Sequence, residues 1–288
     1  MGDSKFSLAM VPATGGNPLE IGMGIPFYWA WSPNSNTLVT HTSGLSEHET
    51  DSGVLSVVSI NRDVVKRRLA VRLSFFQSPV YSPDGNYFVT SVEHGPAKSS
   101  LLLANNSGET ELVLAELQGK AAFDWSPSGD HLAYISGFPT TFGMVGPLTM
   151  IELSDIAHPK IFETEASAVA AFFWSPTGRK LAYFEPHLNN VKEYGVRTLH
   201  FTLSVLDVLS GETLRLGFFR PPDVMLTQLF PYFDQYQPSA TIWSPDGKYL
   251  VINALNEDDS PGIFVVDYSS NFEPRLIGRG VMPFWSRQ

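Results

Sequence analysis

One motif recurs through the whole chain and restricts its fold more than any other feature. It is an aromatic residue followed by Ser-Pro: Trp31-Ser32-Pro33, Tyr81-Ser82-Pro83, Trp125-Ser126-Pro127, Trp174-Ser175-Pro176 and Trp243-Ser244-Pro245. A degenerate sixth copy is Trp285-Ser286-Arg287, and the intervals between the aromatic anchors are 50, 44, 49, 69 and 42 residues. A period of this length is that of one supersecondary unit, stacked on its neighbours because it cannot bury its apolar face alone.

The unit is readable from local chemistry. Seven positions after each anchor stands an apolar residue, Leu38, Phe88, Leu132, Leu181 or Leu250, which opens a second β-rich run such as Leu132-Ala133-Tyr134-Ile135. Between the two runs, as in Ser82-Pro83-Asp84-Gly85 and Ser244-Pro245-Asp246-Gly247, Pro presets φ, Asp suits the next position and Gly accepts a positive φ, the chemistry of a type I hairpin turn. Two more strands follow, for instance Ser100 to Ala104 and Glu111 to Leu114 around Asn106-Ser107-Gly108-Glu109. Four antiparallel strands per repeat of about 45 residues is the spacing of a propeller blade. The expectation is an all-β, six-bladed β-propeller forming one domain over residues 1–288, and 23 Gly and 21 Pro fit its many turns.

Trp-Ser-Pro-Asp-Gly followed by a Leu-Ala-Tyr-type strand resembles the repeat of TolB-like propellers, a repeat also found in the propeller domains of prolyl-oligopeptidase-type peptidases. The resemblance covers essentially the whole chain, with departures at Asn34-Ser35, Ser128 and Thr177, where the Asp is lost. It implies the fold, capture of a protein or peptide, and a cell-envelope or exported location. It brings no nucleophile, because there is no Gly-x-Ser-x-Gly elbow.

The ends of the chain complete each other in this reading. Phe284-Trp285 supplies only the innermost strand of a blade, while segments 5–11 and 18–21 match third and fourth strands leading into Trp31. A closing blade shared by the two termini is therefore expected, which removes open strand edges. It lacks a second strand, so either this blade has three strands or the natural protein extends upstream of Met1. Residues 1–16 lack the basic start and apolar core of a secretory signal, and no apolar run reaches membrane-spanning length. Phe6 stands where a myristoylation site needs Ser or Thr.

The formal net charge of −10, with 19 scattered Lys and Arg, argues against a nucleic-acid partner. The absence of cysteine excludes a disulfide framework, a thiolate metal site and a Cys nucleophile.

In four-stranded blades the Ser-Pro turns share one end, and the longer loops share the other, where binding residues concentrate. Those loops are 41–53, 92–98, 137–147, 185–198 and 255–262, together with the crossing 217–238 that produces the long interval. The crossing is apolar throughout, with Phe218, Phe219, Met225, Leu226, Leu229, Phe230, Tyr232, Phe233 and Tyr236, and Phe138, Phe142 and Met144 lie near it in the pattern. Two readings stay open: an aromatic cap that binds a peptide, protein segment or small ligand, or an insertion that packs on itself and plugs the central channel.

The candidate binding residues are His41, Glu93, His94, Glu185, His187, Phe230, Tyr232, Phe233 and Tyr236, with Glu47, His48, Glu49 and Asp51 as further polar groups. None has metal-ligand spacing, so no catalytic residue, metal ligand or cofactor is assigned. Asp124, unusual before its Trp, reads as a hydrogen-bonded strand residue. The expected function is a non-enzymatic binding or scaffold propeller. The alternatives are a hydrolase or lyase using His and carboxylate groups at the channel mouth, with or without a channel-bound metal ion, and an accessory propeller gating a separate peptidase.

Overall fold

The computed structural model describes residues 6–24, 27–42, 54–60, 64–69, 78–95, 98–190, 197–237, 239–268 and 273–286. The chain divides into two compact units, residues 1–120 and 121–288.

In the first unit β1 (Phe6–Met10) and β2 (Leu19–Gly24) pair antiparallel with each other. β3 (Phe27–Trp31), β4 (Thr37–Thr42), β5 (Val54–Ile60) and β6 (Val64–Arg68) form a four-stranded sheet in sequence order. So do β7 (Val80–Tyr81), β8 (Tyr87–Gly95), β9 (Lys98–Asn105) and β10 (Thr110–Gln118). Leu8, Met10 and Ile21 pack on Leu38 and Val58, and Lys66 Nζ donates to the Ile21 carbonyl at 2.8 Å, so β1–β2 docks against the β3–β6 sheet.

The second unit opens with β11 (Lys120–Trp125) and β12 (His131–Gly137). A small hairpin follows, β13 (Pro139–Thr140) with β14 (Gly143–Met144), and then β15 (Leu148–Glu152) and β16 (Lys160–Glu163) complete a sheet ordered β11-β12-β15-β16. The next sheet is β17 (Ala171–Trp174), β18 (Lys180–Asn190), β19 (Arg197–Asp207) and β20 (Thr213–Phe219). The last is β21 (Tyr249–Leu255), β22 (Pro261–Asp267) and β23 (Arg275–Arg279), where a bridge from Trp243 to Leu250 marks a rudimentary first strand. Trp285 bridges Thr241 within this unit.

The seven-residue spacing has a direct cause. Trp31 pairs with Leu38, Tyr81 with Phe88, Trp174 with Leu181 and Trp243 with Leu250 across the first hairpin, and all four apolar partners are buried. The Ser of the motif closes the turn: in the second copy Gly85 N–H donates to the Ser82 carbonyl at 2.8 Å, the Ser82 hydroxyl donates to Asp84 at 2.5 Å, and Tyr87 N–H donates to the Ser82 hydroxyl at 3.1 Å. Gly85 and Gly247 take φ of 72° and 68°, the left-handed region open to glycine, and in the first copy Ser35 occupies it at 56°. Where the third copy lacks the turn Asp, Asp130 replaces it, accepting from the hydroxyls of Ser126 and Ser128. Burial works against ionisation of Asp130, but hydrogen bonds from Ser128, His131 and Ser126 outweigh it and hold the carboxyl at about 2.

The anchors also join successive sheets. Trp174 Nε1 donates to the Asp124 carbonyl at 3.2 Å, and Trp243 Nε1 donates to the Phe173 carbonyl at 2.9 Å. Each acceptor is the residue just before the preceding anchor, so the repeat encodes an inter-sheet hydrogen bond as well as a packing contact. Trp285 Nε1 is buried and finds no such partner among the described residues.

Candidate functional site

The crossing between β20 and residue 241 resolves into three short turns: a π-helical turn Met225–Leu229, a 3₁₀ turn Phe230–Tyr232 and an α-helical turn Phe233–Tyr236. Most of its apolar residues face inward, Tyr232 being the exception at 46% exposed. Phe230, only 1% exposed, stacks on Phe201 at 4.6 Å between centroids and lies 5.4 Å from Phe184. Phe233 contacts Phe172 at 5.2 Å and Phe173 at 6.2 Å, and Tyr236 stacks on Phe284. Met225 and Leu229 are buried in the same cluster. The expected aromatic cap is therefore largely core, for a physical reason: a 20-residue crossing without strand pairing gains its order from side-chain burial. Phe230 and Phe233 are buried within that core.

The hairpin β13–β14 covers the same cluster. Gly143 has φ +99°, and a Cβ there would stand 2.7 Å from Pro231 Cα, so the close approach of the two segments depends on glycine. At the other end Arg220 pairs with Asp259 and donates to the Asn256 carbonyl at 3.2 Å, fixing the start of the crossing to the β21–β22 connection.

Some apolar side chains at this end of the second unit stay in solvent: Phe218 is 62% exposed, Leu188 63%, Phe138 56% and Tyr232 46%. They lie at the far ends of β20, β18 and β12 and on the 3₁₀ turn, away from the Ser-Pro turns.

Glu185 and His187 were expected on a loop, but they lie on β18, which runs to Asn190 and pairs with β19 along its full length. Glu185 faces Thr202 across the strands and His187 faces His200. Burial raises the Glu185 carboxyl above its ordinary value, opposed by the nearby charges of His187 and Arg215. Phe218 lies 5.8 Å from the His187 ring and is covered by the Arg215 guanidinium, also at 5.8 Å. Sequence reading missed His200, Thr202 and Arg215. The available signal was the alternation of polar residues Thr198, His200, Thr202 and Ser204 along one strand face.

The remaining candidates lie in the first unit. His41 is buried on β4, with its ring 6.5 Å from Tyr28. Glu93 is half-buried on β8, and the exposed His94 places Nε2 at 2.5 Å from the Ser100 hydroxyl. Glu47, His48, Glu49 and Asp51 lie outside the described residues, as do 191–196 of the expected loop and Pro238 at the end of the crossing.

The Ser-Pro end of the second unit holds a cavity of about 360 Å³. Trp125, Trp174 and Trp243 wall it, with Asp124, Gln237 and Thr241 as polar groups. Gln237 is held by its Nε2 bond to the Phe172 carbonyl at 2.7 Å. Among the described residues no three His, Asp or Glu side chains stand ready to hold a metal ion, and no helix is long and apolar enough to cross a membrane.

No protein-family model matches the chain, and no curated protein matches it in sequence. Solved structures do match. The β-propeller domain of the Trilobed protease from Pyrococcus furiosus, which has an open velcro topology, is 10% identical over 88% of this chain and 71% of that one, with a TM-score of 0.55. The β-propeller domain of Cps50 (Swd1) from Myceliophteria thermophila is 12% identical over 89% of this chain and 72% of that one, with a TM-score of 0.53. TolB from Acinetobacter baumannii is 15% identical with a TM-score of 0.45 over 91% of this chain, which spans 57% of the TolB chain. At these identities the likeness is one of fold: the chain is an all-β protein with a β-propeller fold built from four-stranded antiparallel blades.

Proposed function

We infer that this chain is a non-enzymatic binding propeller of the TolB-like repeat type. Its recognition surface is the long-looped end of the second unit, and its partner is a peptide or protein segment. One observation supports this reading most: the crossing buries most of its own aromatic residues, yet Phe218, Tyr232, Leu188 and Phe138 remain exposed, and the Phe218 ring lies 5.8 Å from that of the polar His187. Apolar side chains in solvent next to a polar cluster are the composition of interface hot spots. Envelope or exported location belongs to the same reading and rests on the repeat resemblance.

The test is selection of binders from a displayed random-peptide library, followed by calorimetry of the selected peptides. Phe218→Ala combined with Tyr232→Ala is expected to weaken them at least about tenfold, corresponding to loss of about 1.4 kcal/mol or more. Selected peptides that bind this variant as tightly as the parent chain would place the surface elsewhere.

A second reading draws on the aromatic-walled cavity at the Ser-Pro end, whose size suits a small organic ligand. Fragment screening by NMR separates the two: shifts confined to the Trp125, Trp174 and Trp243 indoles favour the cavity.

A further inference from the structure

β18 and β19 keep an unbroken antiparallel register from Lys180 and Asp207 out to Asn190 and Arg197, which sets His187 directly opposite His200 and Glu185 directly opposite Thr202. Residues two apart on a strand share a face, so these four side chains occupy one side of the hairpin. Directly opposed residues have Cβ atoms about 4.5–5.5 Å apart, near enough for two imidazoles to reach a single ion with N–metal distances of about 2.0–2.1 Å.

Three polar atoms on this face are buried without a hydrogen-bond partner among the described residues: His187 Nε2, His200 Nδ1 and Thr202 Oγ1. Thr202 is fully buried. Buried polar groups in native folds nearly always find partners, so three unpartnered atoms on one patch, two of them imidazole nitrogens, constitute a donor set. Two imidazole nitrogens suit a cation of intermediate softness. Glu185 carries the carboxylate on the same face, while the Arg215 guanidinium is drawn over the Phe218 ring at 5.8 Å. An anion would have to accept Glu185 as a neighbour.

We propose that His187 and His200 form a two-imidazole site for a divalent transition-metal ion, Zn2+ being the probe, with the Glu185 carboxylate as third donor. Because three ligands do not already converge, the ion recruits Glu185 by a side-chain rotation, and affinity falls in the micromolar range. The bound ion clasps β18 to β19 near the exposed Phe218. The site takes metal whether or not that surface binds a peptide.

The experiment is calorimetric titration of Zn2+ alone into the untagged, chelator-stripped full chain at pH 7.5 and again at pH 6. The expected result is one Zn2+ per chain at pH 7.5 with weaker binding at pH 6, because imidazole must be neutral to ligate. His187→Gln and His200→Gln should each lose at least about tenfold in affinity, and the double variant little more than either, since both act on one ion. His158→Gln should bind as the parent does. The absence of stoichiometric binding, or binding unchanged in both single variants, overturns the proposal. Should either variant fail to fold, imidazole nitrogen shifts of the parent chain decide: Zn2+ must move the signals of His187 and His200, and movement confined to the other histidines overturns the assignment.

Discussion

Two segments at the same end of the β17–β20 sheet turned out opposite to their appearance in sequence. The crossing after β20 is rich in aromatic residues and could have been a binding surface, yet Phe230 and Phe233 lie in the core. The stretch around Glu185 and His187 reads as a polar loop, yet it is a long paired strand, and His187 Nε2 on it, like His200 Nδ1 and Thr202 Oγ1 on its partner strand, is buried without a partner among the described residues. Apolar residues in an insertion are thus weak evidence of a site, because order alone demands their burial. Polar residues that alternate on one face of a paired strand are stronger evidence, because burying them costs free energy that folding alone does not require.

Substitutions can break this contrast, and the largest effect belongs to the crossing. Phe230→Ala removes the ring stacked on Phe201 and is expected to destabilise the chain by about 3–5 kcal/mol, measured by denaturant unfolding. A loss below about 1 kcal/mol would mean that the crossing is not core. Trp243→Phe keeps most of the volume but leaves the buried Phe173 carbonyl without its indole donor, and should cost about 1–3 kcal/mol in the same assay.

Asp234 sharpens the comparison from the electrostatic side. Burial, opposed only by backbone hydrogen bonds, raises its carboxyl to about 6. A carboxyl whose folded pKa lies above its unfolded value binds its proton more tightly in the folded chain. Its ionisation therefore weakens folding as pH rises from about 4 to 6, and the penalty is complete above that window. Asp234→Asn should raise stability by about 1 kcal/mol at pH 7 and have no effect below pH 4. A gain that persists at low pH would assign the effect to something other than charge. The smallest expected change is for Phe218→Ala and Tyr232→Ala, each within about 0.5 kcal/mol of the parent because both side chains are largely in solvent. A clear loss of stability there would make them structural and remove them from the proposed recognition surface.

The repeat was legible because each of its signals has a local physical cause. Leu181 lies seven residues after Trp174 since the two pair across one hairpin, and Gly85 follows Asp84 because the turn requires positive φ. The indole bonds of Trp174 and Trp243 were not legible, since their acceptors lie 50 and 70 residues earlier in the chain and are backbone carbonyls, which carry no residue-type signal. Glu185 and His187 could be named from sequence, but the register that brings His200 opposite His187 could not, because hairpin length sets it and the turn residues gave no stop. The cavity beside Trp125, Trp174 and Trp243 escaped notice for a related reason: residues that recur to build blades also line what lies between them.

Amide hydrogen exchange over residues 225–237 tests the central contrast most directly. If the crossing is core, its amides, including Phe230 and Gln237 with their backbone acceptors Met225 and Phe233, should exchange as slowly as those of β17 and β18. Exchange at the rate of an unprotected loop would contradict the account and return these aromatic residues to the surface.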